Sequence, residues 1–251
     1  MAILFDEVPT SLIGVFFRAG KLGWKKRRII QCWWSGWRHG DKTIRVSCAQ
    51  LIRIRHGNRF LLVPNSRFKQ MQPPGGVTKA LSHGRAVLDK LGAQIGSDYK
   101  VGSKDEADLR VHVPGRNLIR FLGWYGSGEG REASPADREF REELLETEIL
   151  PVDLFGSPKL QKYRTTITGP RHSKHFGCTE LLVQEFFDLD GLETDQVEFL
   201  AGLQESKSCG RGVGVNAKFG WYTKEEIESG GRFPDAAKQP WSIGDHAQWM
   251  I

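Results

Sequence analysis

The chain has 251 residues, 39% hydrophobic and 26% charged, a balance that is typical of globular proteins and excludes disorder of the whole chain. Its net charge of +6 hides an asymmetry, because the first 70 residues contain 14 Lys and Arg but 3 Asp and Glu, whereas the remainder is net acidic. No apolar run is long enough to span a bilayer, no leader peptide opens the chain, and the four scattered cysteines lack the spacing of a zinc site. We therefore expect a cytoplasmic protein with reduced thiols and without a transmembrane span.

Residues 1–41 are basic and rich in tryptophan. Ile30, Trp33, Trp34 and Trp37 recur at helical spacing opposite a run of Lys and Arg, which predicts an amphipathic helical arm. We expect the tryptophans to cover part of the core or a subunit interface, so that the arm supports a homo-oligomer. Insertion into a membrane interface and stacking against nucleic-acid bases are the alternatives, and neither is favoured.

A segment rich in β-formers follows, from Lys42 to Pro64. It predicts a hairpin whose turn is His56-Gly57-Asn58. The chain then reaches Pro73-Pro74-Gly75-Gly76, where the prolines stiffen the backbone and the glycines permit close approach of a ligand. This turn is a candidate for phosphate contacts.

Residues 77–133 separate the glycine turn from the next motif. They predict a helix near Arg85–Gln94, a strand at Asp108–Val113 and a further element at Asn117–Tyr125. An insertion of this length beside a site is more often functional than decorative, because it can supply a lid or a substrate-specific wall.

An acidic helix is predicted from Ser134 to Glu148. Ser134 and Pro135 favour a helix start, and three carboxylates then follow at positions i, i+3 and i+4, so they share one helical face. The alternative is a solvated face in which Arg138 and its neighbours pair with the acids. The three carboxylates are Glu139, Glu142 and Glu143.

The last part of the chain predicts strands at Tyr163–Ile167, Glu180–Phe187 and Phe219–Tyr222. Thr223 is placed to cap a helix that starts at Lys224, and a final helix is expected near Asp245–Met250. His172 and His175 stand in a loop between strands without a nearby third ligand, so a polar surface role is favoured over metal binding.

The order of these motifs resembles the Nudix superfamily over residues 44–250: the hairpin, Pro73-Pro74-Gly75-Gly76, Arg138-Glu139-Phe140-Arg141-Glu142-Glu143, and Gly220-Trp221-Tyr222-Thr223-Lys224-Glu225-Glu226. Together with the long insertion, they look most like the SMODS-associated Nudix domain of bacterial cyclic-oligonucleotide (CBASS-type) antiphage systems. The resemblance implies the α/β class and a Nudix-like α/β/α sandwich with a mixed sheet over residues 42–251. This domain would carry the insertion 77–133 and follow the basic, Trp-rich helical arm of residues 1–41.

For the site, the resemblance implies that Glu139, Glu142 and Glu143 hold Mg²⁺ or Mn²⁺ and act in the cleavage of a diphosphate bond. Hard carboxylate oxygens suit these ions, and such an ion neutralises phosphoryl oxygens and lowers the pKa of a bound water. The expected substrate contacts are backbone groups of the turn, three cations and one aromatic ring: Gly75, Gly76, Lys79, Arg110, Arg131 and Trp124.

Two functions stay open on the sequence. One is a Mg²⁺-dependent hydrolase of a nucleoside diphosphate-linked substrate, which the three retained glutamates favour. The other is a Nudix-homology module that binds a cyclic oligonucleotide or an ADP-ribose-like signal without cleaving it. The second is favoured by Leu145, which replaces the family's small glycine, and by Glu129 and Glu132, which lie out of register with its upstream glutamate. A purely structural interaction domain would suit the Trp-rich arm.

Overall fold

The computed structural model describes residues 40–65, 69–95, 107–206, 218–230 and 242–251. The predicted helix with Trp33, Trp34 and Trp37 lies outside the described residues and stays a prediction. No helix in the described part of the chain is long and apolar enough to cross a membrane.

Strands and helices alternate irregularly along the described chain. The strands are β1 (Thr43–Arg53), β2 (Arg55–His56), β3 (Arg59–Pro64), β4 (Gln70–Gln72), β5 (Gly75–Val77), β6 (Gln94–Ile95), β7 (Arg110–Pro114), β8 (Leu160–Ser173), β9 (Cys178–Leu189), β10 (Gly220–Thr223) and β11 (Ser242–Ile243). The helices are α1 (Ser82–Lys90), α2 (Leu118–Ser127), α3 (Pro135–Phe140), α4 (Val152–Phe155), α5 (Thr194–Glu205) and α6 (Lys224–Glu228). Short 3₁₀ helices cover Gly115–Asn117 and Asp245–Trp249.

Two mixed sheets carry the fold. The larger has the order β6-β7-β1-β9-β8, with β5 also paired to β1; its β1 and β9 are parallel, and its other pairs are antiparallel. The smaller has the order β10-β3-β4-β11, with β2 paired to β3. The arrangement confirms a mixed α/β fold. The insertion contributes directly to it, because β7 pairs with the central strand β1.

The predicted hairpin forms only at its tip. Arg55 pairs with Phe60 and His56 with Arg59 around Gly57, whose φ of +57° suits glycine. The long arms on either side enter different sheets, β1 the larger and β3 the smaller. The predicted hairpin and its turn are therefore confirmed, and beyond them the arms separate because β1 continues into the larger sheet and β3 into the smaller.

Apolar residues on one face of β1, together with Ile54 directly after it, belong to two separate clusters. Val46 and Cys48 pack with side chains of α1 and α2, whereas Ile52 and Ile54 pack with side chains of α3, α4 and α5. Residues two apart on a strand share a face, so Gln50 lies on this same face between the clusters. A buried polar position therefore separates the helices of the insertion from the acidic helix. A third cluster includes side chains of α6 and the C-terminal 3₁₀ helix.

The acidic helix is regular only from Pro135 to Phe140 and continues as a π-helical turn from Arg141 to Leu145. The Glu146 amide donates to the Arg141 carbonyl at 2.9 Å, which is the wide i→i+5 bond. The wide turn leaves both Leu144 and Leu145 in the core. The expected regular α-helix to residue 148 is therefore corrected: the helix widens at Arg141–Leu145, and both leucines join one apolar cluster.

Candidate functional site

The glycine turn meets the acidic helix through two close contacts. The Gly75 amide donates to Glu143 Oε2 at 2.7 Å, so this N–H, expected on a phosphate, serves a protein carboxylate. A methyl group at Gly76 would overlap the carboxylate of Glu139. At Gly75 the φ is +139° and a methyl group would overlap the Gln50 carbonyl. Gly75 is thus required for β5 to approach β1, and Gly76 lets the Glu139 carboxylate lie directly against the turn.

Arg138 ties three carboxylates together. Its Nε donates to Glu132 Oε1 at 2.7 Å, and its Nη1 donates to Glu139 Oε1 at 2.7 Å and to Glu142 Oε2 at 3.3 Å. Its Nη2 also donates to the Val77 carbonyl at 3.2 Å. The guanidinium therefore holds the helix to β5 and to the end of the insertion, as expected for a pairing role.

The carboxylates outnumber the positive charge beside them. The pKa of Glu143 is raised to about 8, chiefly by burial; the Gly75 hydrogen bond opposes this rise, and the charges of Glu139 and Glu142 contribute to it. Burial also raises the pKa of Glu139, with Arg138 acting in the opposite direction. A carboxylate whose pKa is raised by burial and like charge gains from a nearby cation. The electrostatics of this cluster thus favour cation binding.

The carboxylate oxygens of this cluster are suitable ligands for a divalent cation. Their present arrangement, however, does not form a metal site. In the part of the chain that the structure describes, no three His, Cys, Asp or Glu side chains are grouped to hold a metal ion. Glu139 is buried, Glu143 is partly buried and Glu142 is exposed. Glu139 and Glu142 would have to exchange contacts with Arg138 for contacts with the ion.

Two expected anion contacts lie near Asp108. Lys79 forms a backbone bridge with Asp108, and Arg110 Nη1 donates to Asp108 Oδ2 at 2.9 Å. Arg110 pairs with Ser47, one residue from the Val111–Val46 pair that lies under α2. Alternation therefore directs Arg110 to the face opposite Glu139.

Arg131 and Trp124 flank the buried Tyr125. Arg131 Nε donates to the Tyr125 carbonyl at 3.0 Å, and its guanidinium lies 4.5 Å from the centre of the Tyr125 ring. Trp124 is partly buried, with its ring centre 5.6 Å from that of Phe121. Its buried indole N–H has no hydrogen-bond partner in the structure. Both residues thus contact other side chains of the protein, and their contacts with a substrate stay predictions.

Sequence reasoning missed Gln50, Glu185 and Lys162. Glu185 is 4% exposed and accepts from Gln50 Nε2 at 2.8 Å, from Tyr125 Oη at 3.3 Å and from Lys162 Nζ. Burial alone would raise the pKa of Glu185, but the Lys162 and Gln50 hydrogen bonds and nearby positive charges lower it overall. The available signal was the presence of Gln50 and Glu185 in strands that are otherwise largely apolar and buried, since a polar residue needs a partner when it is buried.

Comparison with known protein families identifies most of the chain. A family model described as the SMODS-associated NUDIX domain matches residues 43–251. The match runs from β1 to the end of the chain and includes the glycine turn, the acidic helix and β10. Comparisons with curated proteins and with solved structures found no match.

Proposed function

Because the chain belongs to the SMODS-associated NUDIX domain family, we propose that it is a Mg²⁺- or Mn²⁺-dependent hydrolase of a nucleoside diphosphate-linked substrate in bacterial antiphage defence. The observation that carries the proposal is the contact of carboxylates with the glycine turn. Glu143 accepts from the Gly75 amide, and Glu139 lies against Gly76. This contact joins the two motifs that were expected to serve the metal and the phosphates.

Glu139, Glu142 and Glu143 are the residues that would hold the metal. A bound divalent ion neutralises charge on phosphoryl oxygens and lowers the pKa of a coordinated water. Arg138 also bonds to Glu132 and the Val77 carbonyl, so it could anchor the helix through these two partners if Glu139 and Glu142 held the ion.

A second candidate is a nucleotide-binding module that does not hydrolyse its ligand. The observation that favours it is Arg138, whose guanidinium pairs with both Glu139 and Glu142. In this case the ligand is a cyclic oligonucleotide or an ADP-ribose-like signal, and the acidic helix has a structural role.

Metal titration and product analysis separate the candidates. Glu142→Gln and Glu143→Gln should each weaken Mg²⁺ or Mn²⁺ binding in calorimetry by about tenfold or more. Glu146→Gln is the matched control, because Glu146 is exposed at the end of the same helix. Unchanged metal affinity in both site variants would mean that these carboxylates have a structural role and do not hold a metal ion.

Product analysis uses the purified chain with Mg²⁺ and a panel of dinucleotides, nucleoside diphosphate sugars and cyclic oligonucleotides, followed by mass spectrometry. If the chain is a hydrolase, a phosphoanhydride bond is cleaved by the wild-type protein and by Glu146→Gln, and this cleavage is lost in Glu142→Gln. A compound that binds and is recovered intact, with the whole panel uncleaved, would favour the binding module.

A further inference from the structure

The acidic helix begins without a cap from its own sequence. The first N–H groups of a helix lack partners within it and need acceptors from elsewhere. Ser134, at the N-cap position, makes no side-chain capping bond. Instead, Gln50 Oε1 on β1 accepts from the Ala136 amide at 3.0 Å. The start of the helix is thus fixed by a side chain of the central strand.

Glu185 determines which way the Gln50 amide group points. An ionised carboxylate can only accept hydrogen bonds, so Gln50 must turn its NH₂ group toward Glu185 and its oxygen toward the helix. The two side chains are adjacent because Gln50 and Glu185 are register partners in the parallel β1–β9 pair. Lys162 and Arg131 surround the carboxylate with positive charge, with Arg131 Nη1 3.6 Å from Glu185 Oε2.

The backbone of Gln50 also supports the glycine turn. Gln50 is the register partner of Gly76, and Leu51 is the partner of Gly75. The Ile52 amide donates to the Pro74 carbonyl at 2.7 Å. One residue therefore holds the turn through its main chain and the helix through its side chain.

We propose that Glu185 is a positioning residue that, through Gln50, sets the acidic helix against the glycine turn and so sets the places of Glu139 and Glu143. In the part of the chain that the structure describes, the side chains of Glu185 and Gln50 make no hydrogen bond with either carboxylate. The importance of this positioning for catalysis rests on the proposed function. The placement of the acidic helix by Gln50 and Glu185 concerns the metal-free protein and does not depend on that function.

The test exchanges the two functional groups. Gln50→Glu places a second carboxylate against Glu185, so the helix cap should weaken. In the double variant Gln50→Glu/Glu185→Gln, the amide of residue 185 donates to the carboxylate of residue 50, whose other oxygen accepts from Ala136. The cap should then be restored. Gln50→Leu removes the hydrogen bonds to Glu185 and Ala136 without adding charge. It replaces Gln50→Glu in the test if that variant does not fold.

The first measurement is hydrogen exchange of the Ala136 amide in metal-free protein, followed by NMR. Loss of the Ala136–Gln50 hydrogen bond predicts exchange about two- to tenfold faster in Gln50→Leu. Repulsion between Glu185 and the new carboxylate predicts faster exchange in Gln50→Glu as well, with recovery in the double variant. Gln184→Leu is the matched control for Gln50→Leu, since both glutamines are buried. Gln184 lies on β9 next to Glu185, but its side chain contacts His246 on the opposite face of the sheet. Unchanged exchange in the single variants, or no recovery in the double variant, would overturn the inference.

The second measurement is Mn²⁺ affinity by calorimetry in the same proteins. A positioning role predicts binding about tenfold weaker in the single variants and recovered in the double variant. If the wild-type chain binds Mn²⁺ and all variants bind it equally well, the positioning role of Glu185 is overturned, while the proposed function is not. A wild-type chain that binds no divalent cation would contradict the proposed function, while the exchange measurement would still decide the positioning of the helix.

Discussion

Replacing Gly76 with alanine tests the contact between the glycine turn and the acidic helix. The added methyl group would overlap the Glu139 carboxylate, which sits directly on the turn. That carboxylate cannot rotate away freely, because Arg138 Nη1 donates to it at 2.7 Å. Either this charge-assisted bond breaks or the helix shifts away from β5.

The cost follows from these two outcomes. A hydrogen bond to a charged group contributes about 1.5–3 kcal/mol, and an overpacked methyl group costs about 1–3 kcal/mol. We therefore expect Gly76→Ala to lower the free energy of unfolding by about 1–3 kcal/mol. In a domain of this size, each kcal/mol lowers Tm by about 2–4 °C. Because Glu139 moves, Mn²⁺ affinity should also fall by about tenfold.

Calorimetry supplies both readings, a thermal scan for Tm and a titration for Mn²⁺. Gly123→Ala is the matched control, since it lies in α2 with no atom within 4 Å of an added methyl group. A helical Gly-to-Ala change of this kind stabilises by up to about 1 kcal/mol. If Gly76→Ala kept the wild-type Tm and Mn²⁺ affinity, the close packing of Glu139 on the turn would be refuted.

Three further predictions concern other parts of the chain. Trp124→Ala should weaken nucleotide binding about ten- to a hundredfold in a fluorescence titration while Mn²⁺ binding survives; loss of the fold by circular dichroism, or normal nucleotide binding, would contradict base stacking. Burial lowers the pKa of His246 below 6.5, with Asp245 and Glu180 opposing, so the unfolded chain gains a proton first as the pH falls. The free energy of unfolding in urea should therefore decrease below about pH 6.5 by at most about 1.4 kcal/mol per pH unit, and His246→Gln should remove this component. Deleting residues 1–40 should lower solubility or change the oligomeric state in light scattering; a well-behaved truncation together with liposome binding by the intact chain would support a membrane role instead.

Short-range patterns in the sequence were sufficient for several elements. The cap predicted at Thr223 forms, with the Glu226 amide donating to Thr223 Oγ1 at 3.3 Å and Glu226 Oε2 accepting from the Thr223 amide at 2.7 Å. The start of the acidic helix at Pro135 was likewise predictable, because proline presets the first helical turn. These features depend on residues within one helical turn of one another. The family assignment also followed from the order of such local motifs, and the match over residues 43–251 confirmed it.

Other elements had weak local signals. Helix α5 was not predicted, although Glu193 and Gln196 form a capping box at its start. Its apolar residues contribute to the cluster under the acidic helix, so packing contributes to its stability in addition to local propensity. The strands β8 and β9 extend beyond their predicted ends, and His172 lies within β8, paired with Thr179.

By itself, the sequence determined which chemical groups the site contains: the two glycines of the turn and the carboxylates of the helix. Only the tertiary structure decided how these groups are held. The widened turn at Arg141–Leu145 arises where consecutive leucines enter the core, and no local spacing rule anticipates it. Gln50 and Glu185 are 135 residues apart in the chain and become neighbours through the parallel register of β1 and β9. A hydrogen bond of this kind depends on strand pairing across the whole domain, so periodicity and motif spacing carry no information about it.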